Sequence, residues 1–218
     1  MAASPPKPER PPRRRNAEAT KARLMAAGET LFSAHGFSGT TLDAIAEQAD
    51  ANKAMVRYYF GDKDGLYSAI IETIIDDVLA HLESELASPT DPVTDMGDFI
   101  EVFARAIISR PSFPRMILRD YLDGDIMTRE APARKLRGFM ETTRRHYVSG
   151  QVAGRFREVD PHMLHLSIVG SAIFFTVTRR IRSAISTHQG MADFEIEAAP
   201  FTRHLRDLVL SGITSSQD

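Results

Sequence analysis

The chain has 218 residues, of which 43% are hydrophobic and 26% are charged, so it is long enough to form one or two domains with buried cores. It contains no cysteine, which excludes disulfide bonds and cysteine-ligated zinc and is compatible with a reducing compartment. Because the sequence lacks any run of about 18 consecutive apolar residues and its N-terminus lacks the apolar core of a signal peptide, we expect a cytoplasmic protein without a membrane anchor.

The formal net charge of −2 is unevenly distributed along the chain. Residues 1–65 contain 10 basic and 8 acidic side chains, whereas the remaining residues contain 17 basic and 21 acidic ones. The N-terminal part is therefore the basic part, which mildly indicates a polyanionic partner.

Residues 1–17 are rich in proline and arginine and include the run Arg13–Arg15. Because this segment has few apolar side chains to offset the entropy of folding, it is predicted to form a disordered basic arm. Two roles remain open for the arm: a solvated tail that aids solubility, or a DNA-binding arm that reaches phosphates or a minor groove.

Three helices are predicted after this arm. Apolar residues recur at helical spacing from Lys21 to His35, and Gly36 follows as a stop signal. A short second helix is predicted over about residues 41–49, and Asn52 can cap a third over residues 53–59. Two short helices joined by a tight turn indicate a helix-turn-helix, although an amphipathic hairpin in a core would show the same spacing.

The remaining two-thirds of the chain has helical periodicity and no strand-like alternation. The fold class is therefore predicted to be all-α, with about nine helices. The later helical segments span residues 63–86, 96–109, 113–122, 133–152, 161–186 and 198–212.

A specific motif occupies two stretches of the N-terminal part. Residues 40–49 read TTLDAIAEQA, and residues 53–67 read KAMVRYYFGDKDGLY. Through this motif the chain resembles the tetracycline-repressor-like (TetR) family of transcriptional regulators. The resemblance implies a three-helix helix-turn-helix DNA-binding domain over residues 18–66, followed by a helical ligand-binding and dimerisation domain over residues 67–218.

The resemblance also implies which side chains contact DNA. Three of them would bind the phosphate backbone and set the register: Thr41, Tyr59 and Lys63. Four others, on the third helix, would face the major groove and read the base sequence: Lys53, Ala54, Met55 and Arg57.

The motif departs from the usual family pattern at two positions. Asp50 stands where the turn usually has glycine, and aspartate tolerates the left-handed backbone. Tyr59 replaces a frequent histidine but still offers a hydroxyl group to a phosphate. Its neighbour Tyr58 is expected to pack inward.

Residues for a ligand pocket are predicted by analogy with the family fold, not from a motif. The alternative is that these methionine and aromatic residues are ordinary core, and that His146 is a satisfied core or surface histidine. The candidates lie on three helical segments: Phe99, Phe103, Phe113, Met116, Tyr121, Met140, Thr143, His146 and Tyr147.

A dimer interface is predicted on the last two helical segments. Residues 164–177 are apolar nearly all round, which indicates burial on more than one side, unless both helices only complete the core of a monomer. The residues expected at the interface, where the glycines permit close approach, are Gly170, Phe174, Leu205, Leu208 and Gly212.

The leading hypothesis is a ligand-responsive repressor that binds a palindromic operator as a homodimer and responds to a small, mostly apolar effector. Open alternatives are an activator, a regulator controlled by a protein partner, or a helical small-molecule-binding protein or enzyme without DNA binding. No enzyme activity and no cofactor are predicted. His162 and His165 are spaced like two metal ligands, but no third ligand is identifiable, so no metal site is predicted either.

Overall fold

Ten α-helices form the secondary structure of the residues that the computed structural model describes, which are 13–86, 90–123, 130–189 and 195–215. No strand occurs in these ranges, and the prediction of an all-α fold is confirmed. The helices are α1 (Arg13–His35), α2 (Leu42–Gln48), α3 (Lys53–Phe60), α4 (Lys63–Glu85), α5 (Pro92–Ser109), α6 (Ser112–Asp123), α7 (Glu130–Val152), α8 (Pro161–Val177), α9 (Arg179–Gln189) and α10 (Ala198–Ile213).

The chain divides into two compact units, Met1–Ile70 and Ile71–Asp218, and α4 contributes residues to both. The domain boundary predicted between residues 66 and 67 also falls within α4. Most of the predicted arm, residues 1–12, lies outside the described residues, and α1 begins at Arg13.

The core of the first unit consists of apolar side chains from α1 to α4. A glycine allows α1 and α4 to pack closely, because a Cβ atom on Gly28 would lie 2.8 Å from Cδ1 of Ile70. The buried side chains include Leu24, Phe32, Ile45, Val56 and Leu66.

The turn between α2 and α3 requires one residue in the left-handed region. That residue is Asp50, with φ of 46°, as its position in the motif led us to expect. After the turn, the Asn52 side chain accepts a hydrogen bond from the N–H of Ala54 at 2.8 Å and so caps α3. These local features hold the two short helices as a helix-turn-helix.

The second unit is built around α5, which packs against α7, α8 and α10. Aspartate side chains cap the first turns of α5 and α8, and a proline follows each cap. The caps are Asp91, which accepts from the N–H groups of Val93 and Thr94, and Asp160, which accepts from His162. The core-facing side of α5 includes the buried residues Phe99, Ile100, Phe103, Ala104 and Ile107.

The prediction of a single helix over residues 161–186 is wrong, because α8 and α9 are bent by 47° on either side of Thr178. The Thr178 hydroxyl donates to the carbonyl of Phe174, and the Arg182 guanidinium donates to the carbonyl of Phe175, both at 2.6 Å. Such side-chain bonds compete with the backbone bonds that would continue a helix. The described residues therefore contain one helix more than the nine predicted.

Within the described ranges, no single helix is long and apolar enough to cross a membrane, and only the bent pair α8–α9 reaches that length and composition.

Candidate DNA-binding site and ligand cavity

Helix α3 presents most of its side chains to solvent. Val56 is fully buried and holds the helix against the core, whereas Ala54, Met55 and Arg57 are exposed. Among the described residues, the Arg57 side chain has no hydrogen bond or ion pair, so its guanidinium is available to a base or a phosphate.

Tyr58 corrects an expectation from the sequence. Its side chain is 78% exposed and does not pack inward, and its ring meets that of the half-buried Tyr59 edge to face, with centroids 5.0 Å apart. Because each helical residue is rotated by about 100° from the last, the inward position taken by Val56 turns Tyr58 outward. Tyr58 therefore joins the exposed surface of α3.

The side chain of Lys53 bridges the two helices of the motif. Its Nζ lies 2.7 Å from Oδ2 of Asp43 on α2, with the Lys53 side chain 43% exposed and that of Asp43 73% exposed. The charge that is predicted to read DNA is thus paired with a carboxylate in the DNA-free protein.

Thr41 is the N-cap of α2. Its Oγ1 accepts a hydrogen bond from the N–H of Ala44 at 3.2 Å, and the residue is exposed. The hydroxyl hydrogen therefore remains free to donate to a phosphate oxygen. Its neighbour Thr40 is buried, where its hydroxyl donates to the carbonyl of Gly36 at 2.8 Å.

Lys63, at the start of α4, is already bound within the first unit. Its ammonium donates to the carbonyls of Phe37 and Thr40 at 3.0 and 3.1 Å and lies 4.3 Å from the centroid of the Phe37 ring. Since an ammonium has three donors, one remains for a phosphate. The DNA contacts of Lys63 and of the other predicted residues stay predictions.

The second unit contains a cavity of about 640 Å³ between α6, α7 and α8. A volume of this size suits a small-molecule ligand. Its lining is mostly apolar and consists of Ile107, Phe113, Ile117, Leu118, Tyr121, Ala133, Leu136, Arg137, Phe139, Met140, His162, His165, Leu166, Val169, Gly170, Ile173, Phe174 and Val177.

Three of the nine predicted pocket residues line this cavity: Phe113, Tyr121 and Met140. The other six lie elsewhere in the unit, because sequence spacing shows that a helix face is apolar but not which neighbour covers it. They are Phe99, Phe103, Met116, Thr143, His146 and Tyr147, of which all but His146 are fully buried.

His146 and Tyr147 have structural partners outside the cavity. The half-buried imidazole of His146 stacks on the ring of Phe99, with centroids 4.7 Å apart, and burial lowers its pKa. The Tyr147 hydroxyl donates to the carbonyl of Arg157 at 3.0 Å and accepts from the N–H of Val159 at 2.7 Å. Tyr147 therefore fixes the segment between α7 and α8.

The cavity contains polar residues that we had not assigned to a ligand site. His165 lines it and contacts Oγ1 of Thr143 through Nδ1 at 2.8 Å. His162 also lines it, and its Nδ1 lies 3.1 Å from Oδ1 of Asp160. The spacing of the two histidines had drawn attention only as a metal pair, and Arg137 carried no sequence signal.

Most of the residues predicted at the dimer interface are open to solvent. Phe174 is 69% exposed and Leu208 is 60% exposed, and apart from the neighbouring residues of the same helix no atom lies within 4 Å of a Cβ position built on Gly170 or Gly212. Leu205 differs, because its side chain is buried within the subunit, at 3% exposed. Since α10 is apolar on more than one side, its spacing alone could not separate the inner face from the outer one.

A groove of about 340 Å³ between α8 and α10 continues this apolar surface. Met163 and Leu208 both line it and are both largely exposed. Contiguous exposed apolar side chains on a protein surface mark an interaction site.

Together, the exposed α3 and the capped turn before it define a helix-turn-helix DNA-binding protein. Comparison with known families agrees. Residues 24–70 match the family described as bacterial regulatory proteins, tetR family, and residues 92–213 match the tetracyclin repressor-like C-terminal domain. The chain belongs to the TetR family and is a DNA-binding transcriptional regulator, not an enzyme. Members of this family bind operator DNA and act as dimers.

The similarity to relatives and to solved structures covers most of the chain. It is 27% identical over 208 residues to the HTH-type transcriptional repressor NicS of Pseudomonas putida, covering 92% of this chain and 95% of that protein. It is 26% identical over 159 residues to the HTH-type transcriptional regulator RutR of Escherichia coli, covering 73% and 74%. A TetR family transcription regulator from Marinobacter aquaeolei matches the fold with a TM-score of 0.72 at 17% identity, covering 92% and 98%.

Proposed function

We propose that this protein is a ligand-responsive repressor that binds a palindromic operator as a homodimer and releases it when a small apolar effector fills the cavity between α6, α7 and α8. The observation that carries the proposal is the cavity of about 640 Å³, which lies in the unit that does not contain the helix-turn-helix. A mostly apolar cavity of this size in a DNA-binding regulator supports the binding of a small-molecule ligand.

Control by the occupant requires that it bind one conformation of the dimer better than another. In the proposed mechanism, the filled cavity favours a conformation in which the spacing of the two DNA-binding units no longer matches the operator. The half-sites would lie about 34–36 Å apart, or a multiple of that, because two-fold symmetry places both recognition helices on one side of the duplex.

Repression is supported by the relatives, since NicS is named a repressor. The sign of regulation is not visible in the DNA-binding residues themselves, because the same contacts serve an activator. Control by a protein partner is the second candidate, and the exposed apolar surface of α8 and α10 favours it if that surface is not taken up by the dimer.

Selection of bound duplexes from a random DNA pool tests the DNA half of the proposal. We expect an inverted repeat whose two halves are read by the two α3 helices. Fluorescence anisotropy with the selected duplex then gives the affinity, and titration with hydrophobic and aromatic compounds tests ligand control. An effector should raise the melting temperature of the protein and release the DNA.

Two results would contradict the proposal in different ways. A selection that yields no inverted repeat would reject the palindromic operator. A library that neither stabilises the protein nor releases the DNA would reject small-molecule control and favour control by a partner.

A further inference from the structure

Few polar groups line the cavity. Tyr121, Arg137, His162 and His165 are the polar residues of its lining, and among the described residues no carboxylate lines it. In an otherwise apolar site, a small number of placed polar groups sets the orientation and chemistry of a ligand. The question is which of these groups has a fixed role.

His165 is the best defined of them, because its Nδ1 contacts the hydroxyl of the fully buried Thr143. Oγ1 of Thr143 lies 3.2 Å from the carbonyl oxygen of Phe139 and 2.8 Å from Nδ1 of His165. A carbonyl oxygen can only accept, so the single hydroxyl hydrogen of Thr143 must point to Phe139 if that contact is a hydrogen bond. When the hydroxyl hydrogen points to Phe139, the contact between Thr143 and His165 is a hydrogen bond only if Nδ1–H of His165 donates to Oγ1 of Thr143.

This arrangement leaves Nε2 of His165 as an acceptor. Among the described residues Nε2 has no hydrogen-bond partner, while the half-buried ring lines the cavity. Burial lowers the pKa of His165, and the neighbouring His162 lowers it further, so the ring is neutral at neutral pH. A neutral imidazole whose Nδ1 donates presents a lone pair at Nε2.

The other polar residues of the lining are less constrained. Arg137 is exposed, and His162 is largely exposed, with Nδ1 near the carboxylate of Asp160. Tyr121 is exposed too, with a hydroxyl that can donate or accept. None of them is an obligate acceptor, whereas Nε2 of His165 is one in the tautomer whose Nδ1–H donates to Thr143.

We propose that the effector is an apolar molecule bearing a hydroxyl group, an alcohol or a phenol, that donates a hydrogen bond to Nε2 of His165. This inference rests on the proposed function, since it names the ligand class of the same cavity. It also predicts which molecules are rejected: a hydrocarbon leaves the acceptor unpaired, and an ether, which only accepts, cannot pair with it.

Four probes that share one apolar body test the inference: 2-naphthol, 2-methylnaphthalene, 2-methoxynaphthalene and 2-naphthoate. Their affinities for the full-length protein are measured by calorimetry at pH 7.5, where 2-naphthol keeps its hydroxyl proton. We expect 2-naphthol to bind about 10-fold more tightly than each of the other three, since one satisfied buried hydrogen bond accounts for a change of that order.

Variants then assign the preference to His165. His165→Leu should abolish the difference between 2-naphthol and 2-methylnaphthalene, and His165→Gln should restore part of it, because an amide oxygen also accepts. His81→Leu is the control, since it removes an exposed histidine of α4 that does not line the cavity, and it should leave the preference unchanged. Circular dichroism and the melting temperature establish that each variant is folded.

Other outcomes overturn the inference. Tightest binding of 2-methoxynaphthalene would mean that Nε2 carries the proton. Tightest binding of 2-naphthoate, strengthening as the pH falls and lost in Arg137→Gln, would mean an anion site formed by Arg137 and protonated His162 and His165. If 2-naphthol and 2-methylnaphthalene bind equally and both release operator DNA, ligand control stands and the role of His165 fails. If no probe binds while operator DNA still does, ligand control through this cavity fails as well.

Discussion

Arg57 and Lys63 are both predicted DNA contacts, yet they differ in what they do in the free protein. The Arg57 side chain has no hydrogen bond within the described residues, whereas the Lys63 ammonium donates to two carbonyls of the segment before α2. A change at Lys63 is therefore expected to affect both folding and DNA binding, and a change at Arg57 is expected to affect DNA binding alone.

Lys63→Met is expected to lower the free energy of unfolding by roughly 1–3 kcal/mol, because it removes the ammonium that donates to the carbonyls of Phe37 and Thr40. It should also weaken binding to all DNA sequences and reduce the magnitude of the salt slope by about one per half-site. Urea denaturation and anisotropy at several salt concentrations measure the two effects.

Arg57→Met is the control for this pair. Its stability should stay within about 0.5 kcal/mol of the original, while affinity for the operator falls by roughly 1–3 kcal/mol and preference relaxes at particular base pairs. An unchanged salt slope in Lys63→Met would make Lys63 purely structural. A loss of affinity in Arg57→Met that is equal for all sequences would make Arg57 a phosphate contact.

Asp43→Asn is expected to strengthen DNA binding. The carboxylate of Asp43 pairs with Lys53 at 2.7 Å on an exposed surface, so the pair contributes no more than about 1 kcal/mol to stability. Its removal frees the ammonium and deletes a negative charge beside the predicted DNA surface. Affinity for non-specific DNA should rise several-fold at low salt, and the gain should shrink as salt is added.

A neutralised carboxylate in the second unit separates this local effect from a change in net charge. Glu158 is exposed, and Glu158→Gln changes the net charge by the same amount. If it raises DNA affinity as much as Asp43→Asn does, the effect is one of overall charge, and Lys53 has no special part in it.

The short helices of the DNA-binding unit depend on the turn between them. Asp50 adopts a φ of 46°, a conformation that a β-branched residue strongly disfavours. Asp50→Val is expected to lower the free energy of unfolding by about 1–2 kcal/mol, and Asp50→Gly should not. Urea denaturation of both variants checks this, and equal stabilities would show that the turn tolerates a different backbone conformation.

These elements could be predicted from sequence because their determinants are local. Asp50 and Asn52 act within the turn, and the motif spans neighbouring residues, so α2 and α3 followed from spacing. The cavity could not be predicted in the same way. Phe103 and Phe113 look alike in sequence, but only Phe113 lines the cavity, whereas the Phe103 ring packs against the rings of Phe99 and Phe139.

At the scale of the whole molecule, residues assigned to two different purposes share one surface. Gly170 and Phe174 were predicted for the dimer, and they also line the cavity. Since α8 carries these residues, a partner that covers its exposed side would also lie next to the ligand. Dimerisation and ligand binding are therefore expected to influence each other.

The predicted dimer interface lies on α8 and α10 and can be tested by substitution. Phe174→Glu combined with Leu208→Glu should convert the protein to a monomer at micromolar concentration, because it places two charges in the predicted apolar interface. Light scattering measures the mass. Operator affinity should fall far more than non-specific affinity, since the second half-site is no longer linked to the first.

Val152→Glu, at a residue that is 85% exposed on α7, should remain dimeric. Leu208→Glu alone separates the interface from the cavity, because Leu208 does not line the cavity. A double variant that stays dimeric would move the interface away from α8 and α10.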